Sequence, residues 1–160
     1  ATTEGPQVVV GSSMGGWIAL LLAKRFPDRV AALVGIAAAP DFTEDLVWPA
    51  LSEAERHELG RTGQLLRPSV YADEPYVYTR RLIEDGRQHL VLRHPLVLPF
   101  PVRLLQGTLD TDVPPAVAMR LLDHAQSPDM RLALVKGADH RFSSPECLVL
   151  IDQTLTGLGA

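Results

Sequence analysis

One stretch near the start, Val8-Val9-Val10-Gly11-Ser12-Ser13-Met14-Gly15-Gly16-Trp17, limits the fold more than any other. Three consecutive β-branched residues predict a buried strand. The apolar run from Trp17 to Ala23 predicts a helix directly behind it. Gly11, Ser13 and Gly15, in G-x-S-x-G spacing, must then form a tight turn between the two. Such a turn holds the serine in a strained backbone with its hydroxyl pointing outward. Gly11 and Gly15 carry no Cβ, so strand and helix are expected to approach closely on either side. The Met14 N–H, at the helix start, faces a position where negative charge on an oxygen would be stabilised. The pattern is short and arises by chance. A glycine-bearing turn without chemistry therefore stays open as a reading until other residues are brought in.

At 160 residues the chain is one domain by length, and 46% hydrophobic residues support a real core. A net charge of −4 with scattered cations gives no basic stripe, so no nucleic-acid partner is expected. No run of about 18 apolar residues exists, so no membrane span is expected. The first residues do not read as a signal peptide. The single cysteine, Cys147, excludes an internal disulfide framework and fits a reducing, cytoplasmic location. No metal site is expected: there is no CxxC and no histidine pair one helical turn apart.

Along the chain, a strand over 7–10 leads to a helix over 14–26 that Pro27 stops. The unbroken apolar run Val30–Ala39 predicts a strand buried on both faces, as in a parallel sheet. From Pro40 the composition turns to charge, proline and aromatics, among them Trp48, Tyr71, Tyr76 and Tyr78. Ser52 and Glu55 form a capping box for a helix near 53–60. A second helix is expected over 76–85. Residues 41–99 are thus expected to form an inserted helical cap between two core parts, 1–40 and 100–160. The cap aromatics suit an apolar pocket wall, and core packing accounts for them equally well. A third strand is expected over 102–107, a helix over 115–125 and a fourth strand over 130–136. The last helix runs to about 158, capped by Ser143 with Glu146 and buried along Leu148, Ile151 and Leu155. Strands alternating with helices predict an α/β fold with a parallel sheet of about four strands.

Ligands in such sheets bind beyond the carboxyl ends of the strands. Ser13 follows the first strand, Asp110 the third and His140 the fourth. A serine hydroxyl needs a histidine to take its proton, and that histidine needs a carboxylate to fix its tautomer. The chain order Ser, Asp, His is the one expected of an α/β-hydrolase. Asp112 competes with Asp110 for the acid's role. His57, His89, His94 and His124 read as surface or packing residues. Cys147, in the first turn of the last helix, reads as a small buried side chain rather than a nucleophile.

The segments Gly11-Ser12-Ser13-Met14-Gly15-Gly16, Gly107-Thr108-Leu109-Asp110 with Val113-Pro114, and Asp139-His140 together resemble the α/β-hydrolase superfamily. Pro101-Val102-Arg103-Leu104-Leu105-Gln106-Gly107, Ser127-Pro128-Asp129-Met130 and Asp139-His140-Arg141 are similar to the mitochondrial acyl-protein thioesterases that also cleave acyl-glucuronides, and to their bacterial relatives. The resemblance implies a serine hydrolase of small-molecule esters or thioesters that needs no cofactor. Ser13 would be the nucleophile, Asp110 the acid, His140 the base and the Met14 N–H an oxyanion donor. The cap would choose the substrate.

Superfamily members carry further strands before the nucleophile strand, and a loop there supplies a second oxyanion N–H. Losing one such donor costs about 2.7–4 kcal/mol. The expectation is therefore an activity impaired by that loss. It is also expected that either a preceding segment or a second copy of the chain covers the edge at Val8-Val9-Val10. The alternatives are a non-catalytic, ligand-binding remnant of the fold and a triad hydrolase of C–C bonds.

Overall fold

The computed structural model describes residues 3–68 and 74–159. The chain forms two compact units, one built up to Pro40 and from Val91 onward, the other from Asp41–Leu90. Residues 91–99, expected with the cap, cluster with the first unit. Within it, β5 (Leu96–Val97) pairs in parallel with β7 (Ala125–Gln126), and Leu96 and Leu98 are fully buried.

The first unit holds a parallel four-stranded sheet of β1 (Gln7–Ser12), β2 (Val30–Ile36), β6 (Val102–Gly107) and β8 (Met130–Val135), ordered β1-β2-β6-β8. The apolar composition of β2 explains its place inside the sheet: every residue except Ala31 is buried. Its strand ends at Ile36, short of Ala39, because Ala37 adopts φ 45° and turns the chain. Register pairs Ser12 with Ile36, Ile36 with Leu105, and Gly107 with Val135. The carboxyl ends of the strands therefore share one rim. β1 is the terminal strand on its side of this sheet, with Val10 46% exposed.

α1 (Met14–Arg25) buries Trp17, Ala19, Leu20 and Ala23, while Met14, Ile18 and Leu22 stay exposed. α5 (Pro115–His124) links β6 to β8 by way of β7. α6 (Pro145–Thr156) lays Leu150, Ile151 and Leu155 on a core of Val34, Ile36, Leu105, Phe142 and Cys147. Leu148, expected on that stripe, is 54% exposed. The cap also differs from expectation: Ser144, not Ser143, accepts the Cys147 N–H. Pro145 supplies the first helical residue, which makes its predecessor the capping position.

The second unit starts with a π-helical turn, Thr43–Val47, then α2 (Trp48–Ala50) and α3 (Glu53–Thr62). The Ser52–Glu55 capping box forms in full. Residues 76–85 divide into a strand, β4 (Tyr76–Thr79), and α4 (Arg80–Gly86). Tyr-Val-Tyr-Thr favours strand and pairs antiparallel with β3 (Gln64–Arg67). This unit is thus not wholly helical. Val47, Leu51, Leu59, Leu65 and Ile83 form its core, with Trp48 and Tyr78 packed against them. Trp48 also lies under the guanidinium groups of Arg56 and Arg87, at 5.0 and 4.5 Å. Packing accounts for these two aromatics; Tyr76 is exposed, and Tyr71 lies outside the described residues.

Candidate active site

Ser13 sits between β1 and α1 with φ 52° and ψ −123°, a backbone region that costs a non-glycine residue about 1–3 kcal/mol. Neighbouring chain holds it there on both sides. Its N–H donates to the Ile36 carbonyl at 2.9 Å, and its own carbonyl accepts from the Gly16 and Ala39 N–H groups at 2.9 and 3.1 Å. The glycine requirement differs in part from expectation. A Cβ on Gly11 would run into the Gly15 carbonyl, and one on Gly16 would meet the Ala38 Cβ. A Cβ on Gly15 would face open space. The close approach rests on Gly11 and Gly16 rather than on Gly15.

Asp110 follows β6 in a turn and is 4% exposed. Its Oδ1 accepts the N–H groups of Asp112 and Val113 at 3.0 and 2.8 Å. Its Oδ2 accepts from Gln106 Nε2 at 2.9 Å and lies 2.9 Å from His140 Nδ1. Asp112 thus serves the Asp110 carboxylate through its backbone, while the carboxylate that meets the histidine is that of Asp110.

His140 follows β8 in a loop tied to the Asp110 turn. The Thr108 N–H donates to the Val135 carbonyl and the Leu109 N–H to the Ala138 carbonyl, at 3.0 and 2.9 Å. Thr108 Oγ1 accepts the Gly137 N–H at 2.9 Å. A Cβ on Gly107 would collide with the Ala138 carbonyl, so that glycine lets the two loops touch. Asp139 Oδ1 accepts the N–H groups of Arg141 and Phe142. Phe142, 1% exposed, pins the far end of the loop in the core. His140 Nε2 then lies 3.0 Å from Ser13 Oγ. An ionised carboxylate can only accept, so in the neutral imidazole Nδ1 carries the proton. Nε2 is left to accept from the serine hydroxyl. The chain of hydrogen bonds runs Asp110, His140, Ser13. Met14 is the first residue of α1, immediately after Ser13.

Sequence reasoning missed Gln106, Thr108, Asp139 and Phe142. Gln106 left one trace, a lone amide on the side of β6 that otherwise carries Val102 and Leu104. His124 bonds the His94 carbonyl through Nε2 and His89 neighbours Asp85; neither enters the Ser13 hydrogen-bond chain, and Cys147 is buried. Ligand atoms of Asp110, Asp112 and His140 lie within 4.8 Å of one another, the one such grouping among the described residues. The lone pairs a cation would need there are committed, since Asp110 receives four donors and both His140 nitrogens are engaged.

The model of the alpha/beta hydrolase family matches residues 1–148. The chain belongs to this family. Among curated relatives of this chain, the mouse mitochondrial palmitoyl-protein thioesterase ABHD10 is 37% identical over 158 residues, covering 97% of this chain and 52% of its own length. The human protein of the same name is 34% identical over 156 residues, covering 97% and 51%. The chain thus spans about half the length of these relatives. A crystal structure of an Agrobacterium vitis protein superposes with a TM-score of 0.91 at 40% identity, covering 94% of this chain and 60% of that one. Among the described residues no helix is long and apolar enough to cross a membrane.

Proposed function

We propose that this hydrolase cleaves carboxylic esters or thioesters through an acyl-enzyme intermediate. The reading is carried by one observation: a carboxylate, an imidazole and a strained serine hydroxyl joined by contacts of 2.9 and 3.0 Å. Ser13 Oγ attacks the acyl carbonyl while His140 Nε2 takes the hydroxyl proton. Asp110 holds the Nδ1–H and balances the imidazolium. The Met14 N–H donates to the oxygen that becomes negative. His140 returns the proton to the departing alcohol or thiol. Water then adds to the acyl-serine with His140 as base, and the acid leaves.

The thioesterase name of the relatives supports an acyl thioester as one substrate class. In this reading the second unit acts as the cap that selects the acyl group. A reducing compartment, cytoplasmic or the mitochondrial one named for the relatives, suits a protein whose single cysteine is buried. Ser13→Ala is expected to lower turnover of a p-nitrophenyl ester by roughly 10⁴-fold or more and to abolish labelling by a fluorophosphonate. Undiminished turnover in this variant rejects the proposal. Absence of both turnover and labelling in the unsubstituted protein favours a ligand-binding role instead.

A further inference from the structure

Building on that reading of Ser13, His140 and Asp110, we propose that Gln106 is a positioning residue that fixes the Asp110 carboxylate for His140. Gln106 is fully buried, at the inward-facing end of β6. Val102 and Leu104, which share its side of the strand by the two-residue repeat, are apolar and buried. An apolar residue would suit this position by the same rule. Instead the amide spans the root and the far end of the turn that carries Asp110. Its Nε2 donates to Asp110 Oδ2 at 2.9 Å and to the Val113 carbonyl at 3.0 Å. Its Oε1 is buried with no hydrogen-bond partner among the described residues.

The two acceptors that face Nε2 fix the orientation of the amide. Turned over, Gln106 would set Oε1 against the carboxylate and the Val113 carbonyl, oxygen against oxygen. The arrangement gives up one buried hydrogen bond in order to hold Asp110.

The division of labour on the carboxylate makes the role specific. Backbone N–H groups of Asp112 and Val113 hold Oδ1. Among the described residues, Oδ2 has only Gln106 and His140. Without the Gln106 donor, the carboxylate can pivot about Oδ1, and among the described residues only the imidazole restrains Oδ2. His140 then loses its fixed bearing toward Ser13. Sub-ångström precision of this kind is worth tenfold factors in rate.

The test uses Gln106→Met, which keeps the length, removes the donor and removes the orphaned oxygen. Turnover of a p-nitrophenyl ester is expected to fall about tenfold in kcat with KM within about twofold. The urea midpoint is expected to stay level or rise. The downfield proton resonance of His140 Nδ1–H is expected to move and broaden. Gln106→Glu, which sets a second carboxylate against Asp110, is expected to lose more kcat than Gln106→Met.

A purely structural role predicts the opposite pattern: lost stability, with kcat per folded molecule and the resonance unmoved. That result overturns the proposal. The resonance needs no turnover, so the two levels separate. Failure of the unsubstituted protein to hydrolyse or to be labelled would count against the reading beneath. An unchanged resonance in Q106M counts against Gln106 itself. Should Q106M not fold, the one side-chain N–H of Gln106 that faces Asp110 decides between the two roles: protection from solvent exchange that falls in Asp110→Ala relative to the N–H on the Val113 carbonyl supports the positioning role, and equal protection of the two overturns it.

Discussion

Replacing Asp110 with asparagine exchanges one oxygen for an N–H₂ group in a site that is 4% exposed. The carboxylate now meets donors on both sides: Asp112 and Val113 N–H at Oδ1, Gln106 Nε2–H and His140 Nδ1–H at Oδ2. An amide has only one oxygen, so whichever way it turns its N–H₂ faces donors. If the oxygen stays with the backbone pair, the N–H₂ confronts Gln106 and His140. Two adjustments relieve this. His140 can switch tautomer so that Nδ1 accepts. Gln106 can turn its amide to present the unpartnered Oε1, forfeiting its bond to the Val113 carbonyl.

The stability cost is then about that of one buried unsatisfied group, roughly 1–3 kcal/mol. The catalytic cost is larger. With the proton on Nε2, His140 can no longer accept from Ser13, and the comparable change in a serine protease lowers kcat by about 10⁴. Urea unfolding and p-nitrophenyl ester turnover on the same preparation give both numbers. Asp110→Asn turnover within tenfold of the unsubstituted protein would refute the tautomer argument. A loss of stability without loss of rate would reduce Asp110 to a turn-capping carboxylate.

Two further substitutions test the scaffold. Gly16→Ala puts a Cβ 2.5 Å from the Ala38 Cβ, and is expected to destabilise by about 1–3 kcal/mol in urea. Gly15→Ala faces open space and is expected to be neutral or stabilising by a few tenths of a kcal/mol; equal effects at the two sites would contradict the geometry. In the second unit, bonds from the Ser52 backbone and from Arg67 hold the Glu55 carboxyl down to about 2, from an ordinary 4.5. A depressed carboxylate stabilises above its unfolded value, and that contribution is lost as pH falls toward its folded value. The stability difference between Glu55→Gln and the unsubstituted protein is therefore expected to shrink between pH 4.5 and 2. A difference independent of pH in urea titrations would show the carboxylate charge to be idle.

The sheet and the meeting of Ser13, Asp110 and His140 were legible because their signals are local. An all-apolar β2 announces a two-sided burial, and Ser13, Asp110 and His140 each stand just past a strand end. The second unit was less legible. Tyr76–Thr79 has neither helical nor strand periodicity long enough to decide, and its strand exists because β3 lies alongside it, a partner some ten residues away in sequence. The roles of Gly15 and Gly16 were exchanged for a similar reason. Both are equally plausible in the motif, and only the position of Ala38, delivered by β2, distinguishes them. The role of Gln106 was not legible, because its value lies in a donor aimed at a side chain four residues on, around a turn whose shape the sequence does not state.

Within the first unit the departures from local preference gather at one place. Among the described residues of the first unit, the non-glycine residues at positive φ are Ser13, Ala37 and Phe142. Ser13 bears the hydroxyl, and Phe142 stands two residues after the histidine. The Ala37 N–H binds the Leu105 carbonyl, next to Gln106. Gln106 adds a buried oxygen without a partner. Each such feature costs on the order of 1–3 kcal/mol, against a total stability of about 5–15 kcal/mol for a domain. Scattered strains of this size would be random flaws. Gathered along the rim that carries Ser13, Asp110 and His140, they have a common physical cause. The turn, the loop and the carboxylate must be held where unconstrained chain would not go, and the packing of Phe142, Leu105 and Val34 beneath them supplies the hold.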